Sequence, residues 1–155
     1  MIVNFKKLNP DAIIPSFGNG DSENAGLDFY STETVTIMPG KSVVIDTGIA
    51  WEPDMHGDWD TPSYTTFKPV MIIKGRSGLA IKHGVECCSA GIIDMSFRGS
   101  IVVKLYNTSD VIYTVNKGDR IAQGVVVALP ELTVREVETL SDTERGTNGF
   151  GSSGK

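Results

Sequence analysis

The chain has 155 residues, 40% hydrophobic and 21% charged, with a formal net charge of −5 at pH 7. That length suits one domain with a real core, and the negative balance excludes the broad basic field of a nucleic-acid binder. No apolar run is long enough to span a membrane.

The opening residues, Met1 to Lys7, lack the apolar core of a signal peptide. Cys87 and Cys88 are adjacent, and neighbours in a strand point to opposite faces, so an internal disulfide is not expected. Both points fit a soluble protein of the reducing cytoplasm. Seventeen glycines and seven prolines among short β-rich runs predict many turns and few long helices.

Residues 2–8 read as the first strand, ended by Asn9-Pro10-Asp11. A polar loop follows and leads into 25–31 (AGLDFYS), where Leu27 and Phe29 alternate with Asp28 and Tyr30. Asp28 should therefore point away from the core face, as a solvated strand residue or a site carboxylate. Residues 34–38 and 42–47 read as two strands around Pro39-Gly40-Lys41. The stretch 51–69 holds Trp51, His56, Trp59, Tyr64 and Phe67 without clear periodicity. It reads as an ordered surface excursion packed through Trp51 or Trp59, supplying no catalytic group. His56, Asp58 and Asp60 have metal-ligand chemistry but no cysteine or second nearby histidine at ligand spacing.

Residues 70–73 form a short apolar run, after which Gly75-Arg76-Ser77-Gly78-Leu79-Ala80 switches to helix grammar. Ser77 fits an N-cap, Gly84 a C-terminal cap, and Lys82 and His83 suit the last turn. The segment is either a capped surface helix or an anion site built from Arg76, Ser77 and backbone amides.

Residues 91–93 and 100–103 are apolar runs flanking a polar link, which predicts two strands joined through a turn. Asp94 sits where the first run meets that turn, as a turn former or as a base at a pocket rim. Further strands are expected at 101–106, 111–115, 121–129 and 132–137, with Gln123 polar inside an apolar run. From 138 onward no core pattern remains, and Arg145, Phe150, Ser152 and Ser153 lie among glycines. Such a tail suits a mobile terminus or a flap that orders on a phosphorylated ligand.

Five separated strings, 25–31, 75–80, 91–101, 118–123 (GDRIAQ) and 145–154 (RGTNGFGSSG), together resemble the homotrimeric dUTPases, in order and across essentially the whole chain. The resemblance departs at Phe97, where tyrosine is usual, at Gly75, where proline is common, and in the length of 51–69, which is suggestive of phage-type members. It implies an all-β, jelly-roll-like barrel over residues 1–137, with one short helix, the insert at about 51–69 and a mobile C-terminal arm at 138–155. The implied activity is a dUTP diphosphatase, converting dUTP to dUMP and pyrophosphate, which limits uracil in DNA and supplies dUMP for dTMP synthesis.

By the same resemblance Asp94 activates water for attack on the α-phosphorus, and Arg76, Ser77 and Gly78 bind phosphates with Gln123 nearby. Backbone around Cys88, Gly91, Ile92 and Ile93 pairs with uracil, while Phe97 packs on deoxyribose with Val102 close to the substrate. Arg145, Phe150, Gly151, Ser152 and Ser153 close over the nucleotide. The implied cofactor is Mg²⁺, held mostly by triphosphate oxygens and water, with Asp28 touching those waters. The implied partners are dUTP and two further copies of the chain, with no nucleic acid and no membrane. Two alternatives stand beside this reading: a dCTP deaminase of the same fold, and a nucleotide-gated regulatory binder that uses 51–69 as its partner surface.

Overall fold

The computed structural model describes residues 2–20, 23–54, 67–88 and 91–147. Twelve strands and one helix follow in chain order: β1 (Ile2–Lys7), β2 (Ser16–Phe17), β3 (Leu27–Tyr30), β4 (Val35–Ile37), β5 (Ser42–Asp46), β6 (Ile49–Asp54), β7 (Phe67–Lys74), α1 (Ser77–His83), β8 (Val85–Cys87), β9 (Ile92–Ile93), β10 (Val102–Asn107), β11 (Tyr113–Val115) and β12 (Arg120–Pro130). The largest sheet has the order β2-β3-β12-β7-β9, a second has β5-β10-β8, and β1-β6 and β4-β11 form two-stranded sheets. Neighbouring strands pair antiparallel. The mostly-β, jelly-roll-like architecture with one short helix is as expected. No helix of the described residues is long and apolar enough to cross a membrane.

Strand alternation builds one shared core. In β10, Val103, Leu105 and Asn107 are buried, while Val102, Lys104 and Tyr106 face outward. Ile45 and Val85 join from the same sheet, and Phe29, Ile37, Trp51, Met71, Val115 and Ile121 bring the other sheets onto the same cluster. Asn107 is the polar member, and its bonds are made: the amide donates to the carbonyls of Ile37 (3.0 Å) and Val111 (2.7 Å). Its oxygen accepts from the Ser109 amide and hydroxyl, so a buried polar group costs little here.

Four expectations change. Trp51 is not part of an excursion; it is a fully buried core residue of β6, opposite Phe5 of β1. Successive buried residues from Ile49 to Trp51 hide the alternation there. Phe67–Lys74 likewise starts earlier than the sequence suggested; the rest of the expected excursion, 55–66 with His56, Asp58, Trp59, Asp60 and Tyr64, lies outside the described residues. The apolar runs around Asp94 are not a paired hairpin: β9 pairs with β7, whereas β10 pairs with β5 and β8. Residues 132–137 form no strand with the described residues, and Leu132, Val134, Val137 and Leu140 are exposed.

Candidate active site

One part of the site gathers on the face of the large sheet opposite the core. Asp28 of β3 does point away from the core, but that face is covered and the residue is 1% exposed. Its carboxylate lies 3.2 Å from Arg76 Nε and 3.2 Å from Arg120 Nη1, with Gln123 Nε2 at 3.5 Å. The Arg76 Nε contact is an ion pair rather than an aligned hydrogen bond, since that nitrogen has no hydrogen-bond partner among the described residues. Arg76 Nη1 donates to the Arg120 carbonyl (3.1 Å). One buried carboxylate thus orients two guanidinium groups delivered by β12 and by the β7–α1 link. The charge of Arg76 also reaches Tyr113, whose phenol is pushed up by burial and by Asp119, against the opposing pull of Arg76.

Ser77 is the first residue of α1, not its cap: Arg76 holds the N-cap position in extended backbone and no side chain caps the helix. The first intrahelical bonds run from Leu79 and Ala80 to the Arg76 carbonyl, so the Ser77 and Gly78 amides precede the ladder. Gly84 closes the helix in the left-handed conformation, as the sequence predicts, with its amide on the Ala80 and Leu79 carbonyls. Arg76 and Ser77 line an open cleft of about 280 Å³ with Gly75, Ala80, Glu86 and Cys87. Gly75 has a packing reason in this chain, because a β-carbon there would sit 3.3 Å from Cys87 Cβ.

The other part lies along β9 and the link that follows. Gly91 accepts from the Ile73 amide (2.6 Å), and Ile92 and Ile93 pair with Ile72 and Met71. The Cys88 amide bonds the Lys104 carbonyl (2.9 Å). Asp94 is exposed at the end of β9, its carbonyl accepting from the Phe97 amide (3.1 Å). The Phe97 ring, 43% exposed, folds back over Gly99, where a β-carbon would fall 2.5 Å from Phe97 Cζ. Val102 is exposed at the start of β10.

The two parts do not meet. Because β9 runs antiparallel to β7, Asp94 follows the Ile93–Met71 pair, midway along β7, while Arg76 lies past the Lys74 end. From Met71 to Lys74 that is about 10 Å of strand at about 3.3 Å a residue, with Gly75 and Arg76 beyond it. Arg145 belongs to an exposed segment, and Phe150, Gly151, Ser152 and Ser153 lie outside the described residues. Among the described residues no three His, Cys, Asp or Glu side chains gather to hold a metal ion. Sequence reading did not find the Arg120–Asp28 pair, whose members are 92 positions apart. No local signal announces it.

Residues 13–154 match the family described as dUTPase. The deoxyuridine 5'-triphosphate nucleotidohydrolase of Nautilia profundicola is 42% identical over all of both chains. That of a Picosynechococcus species is 43% identical, over 96% of this chain and 95% of its own. A dUTPase of Staphylococcus bacteriophage 80alpha, solved with dUpNHpp, superposes with a TM-score of 0.82 at 27% identity and 99% coverage of each chain. That phage dUTPase is described as controlling the transfer of virulence genes by a G protein-like mechanism.

Proposed function

The chain belongs to the dUTPase family, and from that premise we propose that it hydrolyses dUTP to dUMP and pyrophosphate in sites completed between copies of itself. The observation that supports the shared site is the separation of Asp94, which follows the Ile93–Met71 pair midway along β7, from Arg76 past the Lys74 end of that strand. A base and a phosphate clamp must lie within reach of one substrate; a neighbouring copy can supply the missing half to each. The trimer has a second support: Leu132, Val134, Val137 and Leu140 are 57% to 94% exposed beyond the last strand. An extended run with so much apolar surface is stable when it lies against another subunit.

In this reading Asp94 takes a proton from water as its oxygen bonds the α-phosphorus and the bond to the bridging oxygen of the β-phosphate breaks, releasing pyrophosphate. Arg76, held by Asp28, and the Ser77 and Gly78 amides bind the phosphates, with Gln123 beside them. Mg²⁺, when bound to the triphosphate, would neutralise charge on its oxygens; Asp28, buried and paired with Arg76 and Arg120, acts behind the clamp by holding those arginines rather than by touching the metal's waters. Backbone along Cys88, Gly91, Ile92 and Ile93 reads the uracil edge, and Phe97 with Val102 covers the sugar. Arg145, Phe150, Gly151, Ser152 and Ser153 form the closing arm, residues 138–155, on a β domain of 1–137.

The activity is tested by pyrophosphate release from dUTP, dTTP, dCTP and UTP. Release from dUTP alone, abolished in folded Asp94→Asn with dUTP affinity retained, is expected; ammonia release from dCTP would indicate the deaminase instead. A second reading, nucleotide-gated binding of a regulatory protein through the segment between β6 and β7, has the 80alpha neighbour in its favour and is compatible with catalysis.

A further inference from the structure

The link between Ile93 and Ile101 carries the proposed base yet has few fastenings. Its entry is fixed by β9 on β7, and its exit by the Ile101 amide on the Ile49 carbonyl (2.8 Å). Between them Asp94, Ser96, Phe97 and Arg98 are exposed. The one backbone bond inside the turn is that of the Phe97 amide to the Asp94 carbonyl.

Arg98 supplies what the backbone lacks. Its Nη1 donates to the Met95 carbonyl (2.7 Å) and to the Phe97 carbonyl (3.2 Å), so one nitrogen ties both sides of the turn. Its Nη2 donates to Glu52 Oε1 at 2.8 Å. Glu52 stands on firm ground: it lies in β6, in register with Asn4 of β1, directly after buried Trp51.

We infer that Glu52 and Arg98 are positioning residues, a strut from the β1–β6 sheet that fixes the direction of the Asp94 turn. An exposed ion pair contributes little to stability. This one differs in that the same guanidinium spans two carbonyls of the turn, so holding it in one rotamer holds the turn. Loss of Glu52 frees Arg98 to leave, and the Asp94 carboxylate then samples directions that do not point at its water. The effect falls on turnover, since neither residue is placed to touch phosphate or base. The pair is half-exposed and borders an open cleft of about 330 Å³, so salt reaches it.

The inference rests on the dUTP-hydrolysing reading for its kinetic arm, and a second arm does not depend on activity. In the full-length chain, Glu52→Ala and Arg98→Met should each lower kcat for dUTP roughly ten- to a hundredfold with KM within about twofold, and the double variant should be no worse than either single. The Phe97 amide should exchange with deuterium faster in both variants while core amides are unchanged. Exchanging the pair (Glu52→Arg with Arg98→Glu) should not restore turnover, because a carboxylate cannot donate to the Met95 and Phe97 carbonyls. Unchanged kcat and unchanged Phe97 exchange in Glu52→Ala would overturn the strut, as would full rescue by the exchanged pair. A wild-type chain that leaves dUTP intact would overturn the functional reading, and the exchange arm would still decide the strut.

Discussion

Asp28→Asn removes one negative charge from the centre of the clamp and leaves its shape. The Asp28 side chain is 2% exposed, while those of Arg76 and Arg120 are 25% and 41% exposed. An ionised carboxylate can accept from both guanidinium groups, whereas an amide offers one accepting oxygen and turns its donors toward the other arginine. Breaking a fully buried pair costs about 3–5 kcal/mol. Water reaches both arginines here, so about 2 kcal/mol is the appropriate loss. For a chain of this length, about 2–4 °C per kcal/mol gives a Tm lower by roughly 4–8 °C. Arg76 also loses the partner that aims it, so KM for dUTP should rise about tenfold. Thermal unfolding at fixed protein concentration and initial-rate kinetics with varied dUTP and Mg²⁺ read both effects. A Tm within a degree of wild type with unchanged KM would refute the argument that Asp28 organises the clamp. A raised Mg²⁺ requirement at unchanged KM would shift its role to the metal's waters.

Gly99→Ala should push the Phe97 ring from its place over residue 99, since the new methyl would lie 2.5 Å from Phe97 Cζ. The preference for dUTP over UTP in kcat/KM should then fall about tenfold; an unaltered ratio would remove Phe97 from sugar selection. Deleting 145–155 takes away none of the described core residues, so Tm should hold while dUTP hydrolysis falls roughly a hundredfold. Full activity of the truncated chain would dismiss the arm as a flap.

The motifs were legible because each is a short string whose residue types are fixed by local demands: Gly84 ends its helix where the sequence places it, and Asp28 does point off the core face. What covers that face was not legible. Arg76 and Arg120 arrive there through strand order, β3 beside β12 beside β7, which no local pattern encodes. Trp51 misled for the opposite reason. The first three residues of its strand, Ile49 to Trp51, are all buried, so the alternation that identifies a half-exposed strand is missing there. Apolar runs on both sides of Asp94 looked like partners by proximity in sequence, yet Ile92–Ile93 joins β7 and Val102–Asn107 joins β5. Residues 132–137 carry strand-like composition, but a strand exists only where a partner edge is offered.

The position of β12 has a consequence for how the chain comes to be active during its synthesis. It is the last strand made, yet it lies in the middle of its sheet, with β3 on one edge and β7 on the other. Until Arg120–Pro130 has left the ribosome, β3 and β7 are separated and each presents an open edge to other chains. The same strand brings Arg120 and Gln123 to Asp28. A nascent chain stopped before Arg120 therefore has neither a closed sheet nor a neutralised Asp28, and quality-control proteases meet it as an unfinished sheet. Closure of the large sheet and the pairing of Asp28 with Arg120 are acquired in one late step.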